Sequence, residues 1–244
     1  MENTAKFIDI HTHILPEVDD GSGSMEETIK MLQLAQEQQI ATIIATPHYI
    51  PGGRNVPVEV LRQKLEQVQA EANKINPDMK LFLGNEIYYS DSVIEDLKAG
   101  KILTLADSRY VLVEFSTKDT DQHIYRALSD LIRNGYIPIL AHVERYRCFY
   151  KKEYLIHDLI EAGCYIQMNA TSLIGGLLDR DAAYHRSLMA QGLIHLLGSD
   201  CHDEKVRIPY MIKTAQMMMK KYDESLVNKI LFTNPLNVLE NKYI

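Results

Sequence analysis

Phe7-Ile8-Asp9-Ile10-His11-Thr12-His13 is the stretch that decides the fold, a short apolar run that ends in two histidines. In an extended strand, residues i and i+2 point to the same side, so His11 and His13 face one point while Thr12 faces away. Imidazole is the commonest protein ligand for a transition metal at neutral pH. A surface strand that carries two histidines by chance is the alternative, and the ends of the later strands distinguish the two interpretations.

Further apolar runs follow, each ending at a polar residue. They are residues 41–45, 80–85, 110–113, 137–141, 164–168 and 193–198. Helices are predicted over residues 25–39, 58–75, 92–100, 121–134, 152–162, 180–191, 209–222 and 224–231, before a tail from Asn234. Buried parallel strands are continuous apolar runs, as these are. Seven strand-then-helix units without a linker predict one closed or nearly closed α/β barrel, whereas an open doubly wound sheet would gather its ligand groups at one switch point.

Local signals add detail to this pattern. Ser24 with Glu27, and Ser92 with Glu95, have the spacing of capping boxes at helix starts. Residues 102–105 are predicted to form a small hairpin arm.

Composition argues against nucleic-acid binding and against insertion in a membrane. The chain has 244 residues and a net charge of −7, which disfavours nucleic acid as the main partner because binding to the phosphate backbone needs a basic surface. No apolar run has the length of a membrane span, and the N-terminus has no signal-peptide pattern. Cys148, Cys164 and Cys201 are odd in number and have neither disulfide nor metal-ribbon spacing. We therefore expect a cytoplasmic protein that is not inserted in a membrane.

Potential metal ligands recur at the predicted strand ends. They are His11, His13, His48, Glu86, Glu114, His142, Asp200 and His202. In a barrel of parallel strands these ends meet at one mouth, where active sites lie. The pattern predicts a site that holds several metal ions. The remaining histidines, His123, His157, His185 and His195, fall on helices or strand bodies and are expected to be ordinary surface or core residues.

At these residues the chain resembles the PHP (polymerase and histidinol phosphatase) family, and within it the bacterial protein-tyrosine phosphatases of capsule and exopolysaccharide operons. The matching motifs are Asp9-Ile10-His11-Thr12-His13, Asp19-Asp20-Gly21, Thr46-Pro47-His48, Gly84-Asn85-Glu86, Ala141-His142-Val143-Glu144-Arg145 and Ser199-Asp200-Cys201-His202. The Asp-Asp-Gly turn and the His-Val-Glu-Arg segment narrow the match to this branch. The resemblance implies a single domain over residues 1–244, folded as a distorted (β/α)7 TIM-like barrel.

The resemblance also implies three divalent metal ions. One ion would take His11, His13, Glu86 and Asp200, and Glu86 would bridge to a second ion. The second would also take Glu114 and His142, and the third Asp20, His48 and His202. Manganese is expected, with Fe, Zn, Co and Mg as alternatives, because mixed carboxylate and imidazole ligands suit all of them.

The charge of such a centre favours a phosphate monoester. Three divalent ions and four carboxylates leave a surplus of about two positive charges, which suits a phosphate dianion. We hypothesise in-line attack by a metal-bridging hydroxide, without a phosphoenzyme. The resemblance makes Arg145 and Arg207 the phosphate clamps, a role that suits the planar guanidinium fork. Surface salt-bridge arginines are the alternative. No general acid is evident, and a tyrosinate leaves readily.

The predicted function is therefore dephosphorylation of phosphotyrosine in a protein, the tyrosine kinase of a polysaccharide export system. A small-molecule phosphatase such as histidinol-phosphate phosphatase would share every ligand. An amidohydrolase would offer a modified lysine where this chain has Glu86 and Glu114, and a metal-loaded binding module would dock a kinase tail without catalysis. The oligomeric state stays open.

A thiol mechanism is a further alternative. The segment from Cys201 to Arg207 has the Cys-x5-Arg spacing of cysteine-dependent tyrosine phosphatases. It lacks glycine, and Asp200, Asp203 and Glu204 would disfavour both a thiolate and a phosphate, so this mechanism is disfavoured.

Loop residues that follow the ligand-bearing strands are expected to form the rim of the mouth. The loop from Tyr49 to Pro57 and the pair Tyr88-Tyr89 follow ligand-bearing strands and are candidates to receive an aromatic phosphoester. Ordinary loop and packing residues are the alternative. Asn169 ends the sixth strand and is expected to support the ligands rather than to bind an ion.

Overall fold

Parallel β-strands form the centre of the molecule. The computed structural model describes residues 6–176 and 178–244. Its strands are β1 (Phe7–Thr12), β2 (Ile40–Ala45), β3 (His48–Tyr49), β4 (Lys80–Leu83), β5 (Glu86–Tyr88), β6 (Tyr110–Glu114), β7 (Ile137–Leu140), β8 (Tyr165–Asn169) and β9 (Leu196–Gly198). The α-helices are α1 (Met25–Glu37), α2 (Val58–Ile75), α3 (Val93–Lys98), α4 (Asp121–Arg133), α5 (Glu153–Glu161), α6 (Arg180–Ala190), α7 (Met211–Lys221), α8 (Glu224–Asn228) and α9 (Asn234–Leu239).

The strands curl into a distorted barrel. Two sheets, β1-β2-β4 and β3-β5-β6-β7-β8-β9, are parallel throughout. Strand β3 continues the path of β2, and β5 continues that of β4. Each of these two paths begins in one sheet and ends in the other. A parallel bridge between Thr12 and Cys201 brings β1 beside the end of β9. The predicted α/β barrel is confirmed, with seven strand paths.

The distortion lies beside β4. In the described part of the chain, β4 pairs with β2 alone, and a 3-10 helix over Leu105–Asp107 packs on its other side. The expected hairpin arm over residues 102–105 is wrong, because Leu103 N donates to the buried Asn85 Oδ1 and the segment packs inward.

A cluster of buried apolar side chains fills the interior of the barrel. Its members come from strands all around the sheet: Ile10, Ile44, Leu112, Ile139 and Leu196. Val238 of α9 joins the cluster, and Asn234 Nδ2 donates to the carbonyl of His195, just before β9 begins. Helix α9 therefore covers the end of the barrel at which the strands start, and leaves their carboxyl ends open.

Several helix boundaries agree with the sequence and two do not. Ser24 caps α1 by accepting from Glu27 N, whereas Ser92 has helical φ and ψ and makes no capping hydrogen bond, so the second capping box is wrong. The predicted tail from Asn234 is also wrong. A π-helix over Lys229–Thr233 leads directly into α9, whose Val238 is buried. Over the described residues, none of the helices is both long enough and apolar enough to traverse a bilayer.

A buried carboxylate fastens the first strand to the last. Asp9 Oδ1 accepts from Ser199 N at 2.9 Å, and Asp9 Oδ2 accepts from Ser199 Oγ at 2.5 Å. Asp9 is 3% exposed, and its pKa is raised because burial disfavours the charged form more than these hydrogen bonds favour it. The bond network joins segments 190 residues apart.

We predict that Asp9→Ala lowers the free energy of unfolding by about 2–3 kcal/mol, because it leaves the buried donors of Ser199 unsatisfied. Urea unfolding with a chelator present would measure the change without a contribution from metal binding. Asp78→Ala, which removes an exposed partner of Lys6, is the control and should change stability by less than about 1 kcal/mol. Equal effects of the two substitutions would contradict this role of Asp9.

Candidate metal centre

The open mouth of the barrel gathers all the predicted metal ligands. Three groups of side chains each hold their ligand atoms within 4.8 Å of one another. The groups are His11, His13, Glu86 and Asp200; His13, Asp20, His48 and His202; and His48, Glu86 and Glu114. His142 joins them through its Nε2, which lies 2.8 Å from Glu86 Oε1 and 3.5 Å from Glu114 Oε2. These clusters can hold metal ions.

A bulge in β1 helps to aim its two histidines. Between Asp9 and Thr12, three steps along β1 match two steps along β2. Bulges of this kind re-aim side chains and are frequent beside active sites. His11 lies within the bulge and His13 directly follows β1, and their Nε2 atoms lie 3.4 Å apart, as expected for two rings that face one point.

Three histidines have one ring nitrogen occupied and the other turned into the cluster. Nδ1 of His13 donates to Asp19 Oδ2 at 2.7 Å, and Nδ1 of His202 to the carbonyl of Asp200 at 3.0 Å. Nδ1 of His11 faces Gln167 Oε1 at 3.4 Å. In the neutral rings each Nε2 therefore offers a lone pair. Lone pairs that face one another in a buried site require a proton or a cation between them. A hydrogen-bond acceptor at the other ring nitrogen, as found here, is typical of metal-ligating histidines.

The other two rings carry buried nitrogens that have no hydrogen-bond partner among the described residues. They include His48 Nδ1 and His142 Nδ1, and His202 Nε2 adds a third such atom. His48 Nδ1 lies 3.2 Å from both Glu86 Oε2 and Glu114 Oε1, although the angles do not suit a hydrogen bond. Buried polar atoms are normally satisfied, so His48 Nδ1 and His202 Nε2 point to a missing partner within the cluster, whereas His142 faces the cluster with its Nε2. The donor set fits divalent cations.

Close backbone packing holds the ligands in position. His142 and Asp200 both have positive φ, 33° and 53°, a region that non-glycine residues rarely adopt and that is frequent at functional sites. A Cβ on Gly21 would lie 2.3 Å from the carbonyl oxygen of His13. The Asp-Asp-Gly turn can therefore approach the end of β1 only with glycine at this position.

Without cations, protons balance the acids of the cluster. Burial alone would lower the pKa of His13, but hydrogen bonds to Asp19 and Glu86 raise it to about 10. Burial likewise opposes protonation of His142, but Glu114 and Glu86 raise its pKa to about 9. The pKa of Glu86 is held well below its usual range against burial, chiefly by His11. By contrast, burial and the nearby His13 lower the pKa of His202 to about 4.

Both predicted arginines reach the edge of the cluster. Arg207 Nη2 lies 2.8 Å from Asp200 Oδ1, and Arg145 Nη2 pairs with Asp200 Oδ2. Their side chains are 37% and 40% exposed, so each is partly accessible to solvent as well as paired with Asp200. Asn169 Nδ2 donates to Asp200 Oδ2 at 2.8 Å, which agrees with its predicted supporting position.

Residues expected to lie outside the centre do so. His157 is exposed beside Glu161, while His185 Nδ1 faces the carbonyl of Ser172 and His195 Nδ1 accepts from Ile166 N. His123 packs against Tyr89 and Phe115. These four residues belong to none of the three groups.

Two of the predicted rim tyrosines and Cys201 are buried, which does not suit contact with a substrate or attack on one. Tyr89 stacks on Phe115 and is 9% exposed, and Tyr49 is 7% exposed, so both are core residues. Burial and nearby acids hold the pKa of Cys201 well above its usual range. The thiol therefore stays protonated, which argues against the Cys-x5-Arg mechanism.

Sequence reasoning missed the side chains that orient the histidines. Asp19 accepts from both His13 Nδ1 and His48 N, at 2.7 and 3.0 Å. Gln167 Oε1 accepts from His142 N at 2.6 Å in addition to facing His11. The acidic turn at Asp19 was a visible signal. Gln167 lies inside an apolar strand, two residues before Asn169. A polar side chain at that position is the one sequence feature that indicates its role beside the histidines.

A parallel β/α barrel whose strand ends surround a mouth lined with imidazoles and carboxylates has the architecture of a metal-binding β/α-barrel protein. Residues 7–240 match the family model described as capsular polysaccharide synthesis, CpsB/CapC. The chain is a member of this CpsB/CapC family.

Relatives are similar along nearly the whole chain. Tyrosine-protein phosphatase CpsB of Streptococcus pneumoniae is 33% identical over 243 residues, which cover 98% of this chain and 100% of the relative. Tyrosine-protein phosphatase YwqE of Bacillus subtilis is 34% identical, covering 90% of this chain and 87% of its own. A chain from the crystal structures of YwqE and CpsB, described as unique metal-dependent tyrosine phosphatases, superposes with a TM-score of 0.89 at 32% identity, over 97% of this chain and 96% of that one.

We predict that Gly21→Ala weakens Mn²⁺ binding by about tenfold or more, because the added Cβ must displace His13. Isothermal titration calorimetry would measure the affinity. Gly23→Ala in the same loop is the matched control, since its Cβ would meet only the flexible Glu27 carboxylate at 3.3 Å. If the two variants bind Mn²⁺ equally well, the turn does not position His13.

We also predict that cation binding at pH 7 releases protons. His13 and His142, with pKa values raised to about 10 and about 9, are protonated in the metal-free site, and a cation must displace those protons. Affinity should therefore rise with pH between 6 and 8. Calorimetry in buffers with different ionisation enthalpies would count the protons released. A heat that is independent of the buffer would refute the expectation.

Proposed function

We propose that this chain is a metal-dependent protein-tyrosine phosphatase that hydrolyses phosphotyrosine monoesters. The observation that carries the proposal is the mouth itself, where imidazole lone pairs face buried carboxylates and two half-exposed guanidinium groups flank them. The tyrosine phosphatase relatives in the same family support the choice of substrate.

The proposed ligands are the nine residues predicted from the sequence: His11, His13, Asp20, His48, Glu86, Glu114, His142, Asp200 and His202. Three ions, with manganese as the first choice, would suit three overlapping groups of mixed imidazole and carboxylate donors. When bound, divalent ions supply Lewis acidity and lower the pKa of water toward neutrality, so that it can attack phosphorus. Direct attack without a phosphoenzyme stays a prediction.

The chain's own residues would bind and orient the substrate. Arg145 and Arg207 reach Asp200 from the open side, so the phosphate oxygens that enter the mouth would meet both guanidinium groups. The planar fork of arginine suits paired phosphate oxygens. Asp19 and Gln167 would keep His13 and His11 in the tautomer that faces inward. Water is largely excluded from the floor, since His11, His13 and Glu86 are almost fully buried.

The wider context follows from family membership. We propose that residues 1–244 act as one catalytic domain, and that the substrate is a phosphotyrosine protein, such as the tyrosine kinase of a polysaccharide export system. A capsule-related role agrees with the family description. The expected cytoplasmic location agrees with three free cysteines.

Elemental analysis combined with phosphatase assays would test the proposal. We expect purified protein to hold divalent metal, to lose at least 95% of its activity on a phosphotyrosine peptide after chelation, and to recover with Mn²⁺. Histidinol phosphate should be hydrolysed far more slowly than the peptide. Full activity in metal-free protein would refute the metal requirement, and a preference for histidinol phosphate would refute the protein substrate.

Variants would separate the roles of the residues. His142→Ala should abolish turnover, and Arg207→Ala should lower kcat/KM by about 10–100-fold through loss of charge-assisted hydrogen bonds. His157→Ala is the control for histidine replacement, because His157 is exposed and far from the three groups. Cys201→Ser should keep its activity. Loss of turnover in Cys201→Ser with stability unchanged would instead favour the thiol mechanism.

A further inference from the structure

A cavity of about 310 Å³ opens directly beside the proposed metal ligands. Asp20, His48 and Glu114 form one wall, so a group bound in the cavity lies next to the cluster. The lining also includes Val18, Ile50, Arg54 and Asn55. The cavity therefore lies between the proposed metal ligands and side chains that have no proposed role in metal binding.

The lining combines two apolar side chains, Val18 and Ile50, with one cation, Arg54. Ile50 is 49% exposed, which is unusual for a large apolar side chain and leaves its surface available to a ligand. Arg54 lines the same cavity as Asp20 and Glu114, yet within the described ranges 6–176 and 178–244 it forms no ion pair. An apolar surface next to an unpaired guanidinium suits an aromatic ring, which is apolar in body and attracts cations to its face.

The loop that carries Ile50, Arg54 and Asn55 is held in shape. Asn55 Oδ1 accepts from Ile50 N and Asn55 Nδ2 donates to Ile50 O, both at 2.8 Å. Gly53 N donates to the same carbonyl at 2.8 Å. Tyr49, which precedes Ile50, is buried in β3. These hydrogen bonds restrain the loop, so less conformational entropy would be lost when a ligand binds.

We propose that this cavity is the subsite for the phenyl ring of phosphotyrosine, with Val18 and Ile50 as its apolar wall and Arg54 as the cation that faces the ring. The subsite rests on the proposed phosphatase function and deepens it, because it explains how an aromatic phosphoester is preferred over an aliphatic one. The phosphate would point toward the cluster and the ring toward the loop. The volume is at the small end of ligand pockets, which suits one ring rather than a large ligand.

Binding of two non-hydrolysable ligands to Mn²⁺-loaded protein would test the subsite. Phenylphosphonate and methylphosphonate share the phosphonate group and differ in the ring, so the ratio of their Kd values isolates the ring's contribution. We expect wild-type protein to prefer phenylphosphonate. Ile50→Ala should reduce that preference by about five- to tenfold through lost apolar contact, and Arg54→Gln by about two- to fivefold.

Kinetics on a phosphotyrosine peptide provide the second readout. Both variants should raise KM and leave kcat nearly unchanged, because the ring contacts are the same in the ground state and in the transition state. Val60→Ala is the matched control, since Val60 is an apolar residue of α2 with 37% exposure and does not line the cavity. It should behave as wild type in both experiments.

The outcomes separate the subsite from the function on which it rests. If wild type hydrolyses the peptide but Ile50→Ala and Arg54→Gln match Val60→Ala, the subsite is refuted and the phosphatase function stands. The same holds if wild type binds the two phosphonates equally. If metal-loaded wild type does not hydrolyse the peptide, the proposed function is refuted and the subsite with it.

Discussion

Pairing of the first strand with the end of the last is the constraint on which the rest of the structure depends. Asp200 N donates to the carbonyl of His11, and His13 N donates to the carbonyl of Cys201, each at 2.8 Å. These two bonds place ligands from opposite ends of the chain side by side. Formation of the site is therefore inseparable from closure of the barrel, and any change that opens this seam would disperse the cluster.

The cluster is electrostatically unfavourable unless something positive occupies it. Buried carboxylates and inward-facing imidazole lone pairs can coexist only if protons or cations lie between them, because removing charges from water is expensive. Asp19 and Gln167 raise this demand by occupying the other nitrogens of His13 and His11. The protein thus holds a rigid arrangement of donors that favours cations, and folding supplies the energy that keeps the donors together.

The same arrangement is asymmetric in a way that suits a phosphate ester. Glu86 and His11 form a buried floor, whereas Asp20 is exposed and the two arginines are half exposed. Charge is therefore concentrated at the bottom and becomes accessible toward solvent. The ordered loop after β3 adds an apolar wall on one side of this opening. In the proposed function, an anionic group would enter toward the floor while its organic part remained at the rim.

The sequence by itself determined the barrel class, the polar residues at its mouth and their chemistry, because parallel strands in a barrel bring their carboxyl ends together wherever each strand starts. Only the tertiary structure decided which ring nitrogen of His11 faces the cluster, since its partner Gln167 lies 156 residues away along the chain. It also decided that Tyr89 and Cys201 are buried, and that Ser92 does not cap its helix. Burial and the contact with Gln167 depend on segments that are distant along the chain, and local patterns contain no information about them.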